Sequence, residues 1–114
     1  MARYFSVRLG VAGLYRIPSQ GGDPVAIVTP DSTAGEVEYR SPGFLPDGRS
    51  LVFIVFKDDE SSELVVQSTD TGARTSLNYS PGEVLTTAAY SSTRHILFHS
   101  GSSRSGIRAI PYSV

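Results

Sequence analysis

Six apolar residues, Leu51 to Phe56, run without interruption between a Pro46-Asp47-Gly48 turn and the charged cluster Lys57-Asp58-Asp59-Glu60. Two of the six are Val and two are Phe, and the run has the length of a strand rather than a helix. Apolar residues that do not alternate with polar ones mark a strand covered on both faces. No other stretch limits the fold as much. The turn before it has its own chemistry. Pro46 presets φ for the second turn position, Asp47 suits the third, and Gly48 takes the left-handed position that follows in a bulged hairpin.

The rest of the chain reads as further short strands. They are expected at Tyr4–Leu9, Leu14–Ile17, Val25–Thr29, Val37–Arg40, Glu63–Ser68, Thr75–Tyr79, Leu85–Tyr90, His95–Phe98 and Ile107–Tyr112. Turn-forming clusters separate them, among them Ser19-Gln20-Gly21-Gly22, Thr69-Asp70-Thr71-Gly72 and Pro81-Gly82. Helical periodicity is missing, so the expected class is all-β. A length of 114 residues gives room for one small domain with one core.

Composition removes several function classes. The net charge is −1 with both signs mixed along the chain, so no basic stripe is on offer to nucleic acid. Without cysteine there is no disulfide, thiolate metal site or thiol nucleophile. No apolar segment approaches the length of a membrane span. Arg3 and Arg8 break up the apolar N-terminal residues that a signal peptide would need.

The strand series repeats. A shift of 45 residues lays Arg49-Ser50-Leu51-Val52-Phe53 on Arg94-His95-Ile96-Leu97-Phe98. A shift of 50 lays Leu14, Gly22 and Ile27 on Leu64, Gly72 and Leu77, and a shift of 48 sets Phe5 against Phe53. A unit of about 45 residues with four strands has the period of a β-propeller blade.

The pattern from Phe44 to Phe53, FLPDGRSLVF, is followed by a strand, by Ser68-Thr69-Asp70-Thr71-Gly72 and by another strand. It resembles the TolB-like, WD-type β-propeller repeat. It is most similar to the propeller segments that follow serine/threonine kinase domains in bacterial proteins. There a strand like GLYRIPSQGGDPV leads through a Glu-rich loop into a turn like Pro42-Gly43-Phe44-Leu45-Pro46-Asp47-Gly48. The third copy departs from the pattern, with Ser91-Ser92-Thr93 in place of Pro46-Asp47-Gly48. Thr93, a β-branched residue, is poorly suited to the left-handed position of Gly48, so the third hairpin's turn is not expected to keep the same geometry.

The resemblance implies β-propeller blades, which are antiparallel four-stranded sheets, about two and a half of them in an incomplete ring. Residues 1–34 would form a partial blade, 35–80 a complete one and 81–114 a second partial one. Named A to D from the inside, the strands would run B-C-D, A-B-C-D, A-B-C. Closing a ring protects the terminal edges, so the implied partners are further copies of the chain in a homo-oligomer, or neighbouring blades of a larger chain. The implied function is protein or ligand binding, or assembly, within a larger bacterial sensor-type protein, with no catalysis and no cofactor. Two alternatives remain open: a fragment of the gating propeller of a serine-peptidase-type enzyme, or an excised or designed propeller piece that self-assembles.

Individual residues give little chemistry. His95 and His99 have metal-ligand spacing on a helix, but on a strand they stand roughly 13 Å apart. Asp58, Asp59 and Glu60 lack the order of a calcium loop and read as a solvated hairpin tip. The segment from Gly101 to Gly106 does not fit a nucleophile elbow, and Gly21-Gly22-Asp23 has no helix behind it to hold phosphate. Asn78-Tyr79-Ser80 is formally a glycosylation sequon, weakened by Pro81. Tyr4, Tyr15, Tyr39, Tyr79, Tyr90 and Tyr112 are expected to pack between sheets.

Overall fold

Antiparallel pairing organises the chain into three sheets. The computed structural model describes residues 2–7, 13–18, 20–77, 85–100 and 106–112. Within these, β1 (Ala2–Val7), β2 (Gly13–Pro18) and β3 (Val25–Val28) make the first sheet. The middle sheet follows, with β4 (Glu36–Phe44), β5 (Ser50–Lys57), β6 (Ser62–Ser68) and β7 (Arg74–Ser76) paired in that order. The third holds β8 (Leu85–Ser91), β9 (His95–Ser100) and β10 (Gly106–Pro111). Helix among the described residues is limited to one 3-10 turn, Ser32–Ala34, capped by the Asp31 side chain and by Gly35 at φ 79°. None of it is long and apolar enough to cross a membrane.

The expected strands are present, with shifted ends. The first begins at Ala2 rather than Tyr4, and β4 continues through Phe44. The β4–β5 ladder slips twice, between Glu36 and Glu38 and between Arg40 and Gly43. Ser41 at the second slip has φ 55°. Each slip inserts an unpaired residue and swaps which face the following side chains occupy.

The apolar run of β5 is covered on both faces. Leu51 through Val55 are all fully buried, and alternate residues go to opposite layers. Leu51, Phe53 and Val55 join Tyr39 and Val65 against Leu14 of the first sheet, with Ile27 and Val28 beside them. Val52 and Ile54 join Leu45, Leu64 and Val66 against Leu85 and Ile96 of the third sheet. Ala88, Tyr90, Ile110 and Tyr112 complete that side. Each such aliphatic or aromatic side chain contributes roughly 1.5–3 kcal/mol on burial. The middle sheet is therefore the central layer of three. Phe98, which the shift of 45 residues lays on Phe53, has its side chain outside the described residues.

The turn into β5 has the expected form. Gly48 N–H donates to Leu45 O at 3.0 Å, and Gly48 takes φ 67°. The Asp47 carboxylate accepts from the Arg49 and Ser50 amides, both at 3.0 Å, and from Ser50 Oγ at 2.8 Å. In the third sheet the left-handed residue is Arg94, φ 64°, and not Thr93. The third turn thus departs from the middle one at the place where Thr93 suits a left-handed φ poorly. The third turn is one residue shorter: Phe44 pairs with Leu51, whereas Tyr90 pairs with Ile96. Counted from the preceding strand, Gly48 falls on Arg94. Thr93 instead bonds through its amide and hydroxyl to Ser91 Oγ, at 3.2 and 2.9 Å.

Pairing registers recur from sheet to sheet. Phe5 pairs with Tyr15 and Tyr15 with Ala26, as Phe53 pairs with Val65 and Val65 with Ser76. Phe44, Leu51 and Gln67 form one row of the middle sheet, and Tyr90, Ile96 and Ile110 form the matching row of the third.

Candidate functional site

Polar groups gather where the first sheet meets the middle one. In an unbroken strand Glu36 and Tyr39 would face opposite ways, but the slip between Glu36 and Glu38 lets both serve one face. Arg74, at the start of β7, extends back across the sheet to meet them. Its guanidinium carbon lies 5.4 Å from the Tyr39 ring centre and 5.5 Å from that of Phe53. Nη1 donates to Glu36 Oε2 at 2.8 Å, Nη2 to the Tyr39 hydroxyl oxygen at 2.9 Å, and Nε to Gln67 Oε1 at 2.8 Å. The Tyr39 hydroxyl in turn shares its single hydrogen between Glu36 Oε1, the nearer acceptor, and the Thr29 carbonyl just beyond β3, at 3.2 Å. The Asp31 amide adds a bond to Glu36 Oε1 at 3.1 Å.

The electrostatics follow from this packing. Burial and the hydrogen bond to the Glu36 carboxylate push the Tyr39 hydroxyl up to about 12. Burial alone would raise Glu36, but the bonds from Tyr39 and the Asp31 amide, with the Arg74 charge, hold it below its ordinary value. Burial opposes the charge on Arg74 too, and its bonds to Tyr39 and Glu36 outweigh that, so it is raised. At neutral pH the cluster is a neutral phenol, a carboxylate and a guanidinium, each engaged by the others. It offers neither a free base nor an activated nucleophile. Its chemistry is that of a clasp, tying the end of β3 to both edges of the middle sheet.

Beside the clasp a cleft of about 390 Å³ opens between the two sheets. Ile27, Val28 and Leu51 give it an apolar floor, and Arg16, Gln67 and Ser68 bring polar groups to it. Turn residues Gly48, Asp70 and Gly72 close one end. Gln67 belongs to both features, since its Oε1 serves Arg74. On the opposite side of β4, the Arg40 guanidinium lies 4.5 Å from the Phe56 ring centre and pairs with Glu38. Arg40 Nε is buried there without a hydrogen-bond partner.

Residues weighed from the sequence are dispersed. His95 and His99 both sit on β9, and His95 Nδ1 lies 2.9 Å from the Thr93 carbonyl. Asp58, Asp59 and Glu60 form an exposed turn whose Asp59 carboxylate accepts from the Ser61 amide at 2.9 Å. Gly21, Gly22 and Asp23 are exposed. Asn78 to Ser80 and Gly101 to Ser105 lie outside the described residues, as do Tyr79 and the side chain of Tyr4. Tyr39 is buried, while Tyr90 and Tyr112 pack against the core shared with the third sheet. Among the described residues no group of three or more His, Asp or Glu could hold a metal ion.

Comparison with known proteins adds no relative: no family model, no curated protein and no solved structure matches the chain. Sequence reasoning passed over Arg16, Glu36, Gln67 and Arg74. Glu36 and Arg74 are 38 residues apart and carry no local pattern. The one available signal is comparison of the pairing registers, which sets Arg16 against Val66 and Gln67 against Ile110, both apolar.

Proposed function

We propose that the chain is a non-catalytic β-propeller segment for binding and assembly, made of blade-like sheets that stack face to face. One observation carries this reading: the pairing registers of the three sheets superpose at nearly constant offsets. Phe5-Tyr15-Ala26 maps onto Phe53-Val65-Ser76 with offsets of 48, 50 and 50 residues. Phe44-Leu51-Gln67 maps onto Tyr90-Ile96-Ile110 with offsets of 46, 45 and 43. Such repetition is what stacked blades require. The likeness to bacterial kinase-linked propellers supports a sensor-type context within a larger protein.

The same offsets support assembly. Leu97, Ile107 and Ala109 of the third sheet stand where Val52, Leu64 and Val66 stand in the middle one. Val52, Leu64 and Val66 are buried by the next sheet, whereas Leu97, Ile107 and Ala109 are exposed, Ile107 at 76 %. An apolar face built to be covered is an association surface. The occupant is the first sheet of a second copy, since the first sheet already repeats the register of the layer that the middle sheet presents. Contacts of this head-to-tail kind close into a ring or run on as a filament.

Light scattering tests the proposal. Particles larger than the 12.2 kDa chain are expected, with a melting temperature that rises with protein concentration. Ile107→Glu should return the mass to that of one chain while leaving the strand spectrum intact. A wild-type species of one chain at high concentration, with a fixed melting temperature, overturns the assembly reading.

A further inference from the structure

Two sheet interfaces built on one pairing register differ in what fills them. Arg16 pairs with Val25 as Val66 pairs with Thr75, and Leu51 pairs with Gln67 as Ile96 pairs with Ile110. Between the middle and third sheets these places hold Val66, Ile96 and Ile110, which pack into one apolar cluster. Between the first and middle sheets they hold Arg16, Leu51 and Gln67, and there the cleft of about 390 Å³ stays open. The chain thus seals this level of one interface with apolar side chains and leaves it open and polar in the other. An interface meant only to be sealed gains nothing from Arg and Gln, which forgo apolar burial.

The hydrogen-bonding inventory sets the charge of what would fit. Among the described residues the Arg16 guanidinium has no hydrogen-bond or ion-pair partner, its backbone being paired within the sheet. Gln67 spends its Oε1 on Arg74 Nε at 2.8 Å, which leaves the two N–H donors of its amide. Ser68 Oγ accepts from the Asp70 and Thr71 amides, both at 3.3 Å, and so keeps its hydroxyl hydrogen to donate. Asp70, the acid of the lining, has Arg49 Nε 3.9 Å from its Oδ2. A guanidinium, an amide and a hydroxyl with donors to spare line one cleft with Ile27, Val28 and Leu51, a set that suits an anion with a small apolar body.

We propose that this cleft binds a small branched aliphatic carboxylate. The carboxylate takes the paired N–H groups of Arg16, with Gln67 Nε2 and Ser68 Oγ as further donors, and the aliphatic part rests on the apolar floor. The chemistry serves a free acid or the C-terminus of a peptide equally, and separate probes divide them. The inference rests on the proposed repeat for the comparison of the two interfaces, but not on assembly.

Amide-resolved NMR titration of the full chain tests it with isovalerate, isovaleramide and N-acetyl-glycyl-leucine. Isovalerate should shift the Arg16, Gln67, Ser68 and Thr69 amides saturably, and isovaleramide should bind at least roughly tenfold more weakly. Tighter binding of the acetylated dipeptide would assign the site to a peptide C-terminus. Arg16→Gln should weaken isovalerate binding by at least about tenfold while the remaining signals stay in place. The inference is overturned if neither carboxylate shifts these amides at millimolar concentration, or if isovaleramide binds as well as isovalerate. The amide control needs no variant, so a poorly folded Arg16→Gln does not blunt the test. A chain that stays monomeric yet binds isovalerate ends the assembly reading alone. One that assembles but ignores both acids ends this one alone.

Discussion

Arg94 holds φ 64° in the hairpin of the third sheet, where Gly48 holds φ 67° in that of the middle sheet. Both amides close the turn in the same way, Gly48 N–H to Leu45 O and Arg94 N–H to Ser91 O, each at 3.0 Å. One backbone geometry is thus built with two residues of very different cost. A left-handed conformation strains an L side chain by roughly 1–2 kcal/mol, and glycine escapes that strain.

The first prediction concerns this pair. Arg94→Gly should stabilise the protein by about 0.5–1 kcal/mol, the relieved strain being partly offset by the greater freedom of glycine in the unfolded chain. Gly48→Ala should destabilise by a similar amount; a Cβ there meets no heavy atom within 4 Å, so the whole effect is conformational. Urea midpoints measure both. Equal signs for the two substitutions would contradict the shared geometry.

Phe53 carries the second. It is fully buried, its ring centre stands 4.8 Å from that of Tyr39, and the Arg74 guanidinium lies over it. Phe53→Ala should cost about 3–5 kcal/mol, through lost transfer energy and the cavity left between two sheets. An unchanged denaturation midpoint would show that β5 does not separate two cores.

The strands were legible because their signals are local. Pro46-Asp47-Gly48 fixes a turn by its own chemistry, and the unbroken run from Leu51 to Phe56 states double coverage without reference to the rest of the chain. The clasp was not legible. Glu36 reaches Tyr39 through a slip in the β4 ladder that no residue type announces, and Arg74 is three strands away from β4. Arg94 was misplaced for a related reason. The offset of 45 holds for the strand after the turn, as from Leu51 to Ile96, but the strand before it is offset by 46, as from Phe44 to Tyr90. A deleted turn residue moves the left-handed position by one, and only pairing reveals on which side the deletion falls.

The clasp gives a third prediction. Arg74→Met leaves the nearly buried Glu36 carboxylate without its cation, which should cost about 2–3 kcal/mol after allowance for the partial exposure of Arg74. Adding Glu36→Gln should recover part of the loss, with a coupling of about 1 kcal/mol or more in the double-mutant cycle. Glu36 is held below its ordinary value of 4.5. Its contribution is therefore complete above that pH and is lost as pH falls through the folded value. Arg74→Met should shrink this acid arm. Additive mutants with unchanged acid profiles would show that the contact is idle.

Tyr39 gives the clasp an alkaline limit as well. Its hydroxyl ionises near 10.0 in an unfolded chain and at about 12 in the folded protein, so folding holds the proton more tightly. Stability from this source is complete below pH 10.0 and drains away as pH rises through about 12. Two units correspond to about 2–3 kcal/mol. The cause is physical: a phenolate would have to sit between sheets, beside a carboxylate that wants its proton. Tyr39→Phe removes the ionising group and should flatten the stability profile over that interval, although it loses the bonds to Glu36 and Thr29 at neutral pH. Tyrosinate absorbance checks the assignment: a component that titrates at about 12 in the wild type should be lost from the variant. If Tyr39→Phe loses stability above pH 10.0 as steeply as the wild type, the proton is not held by this clasp.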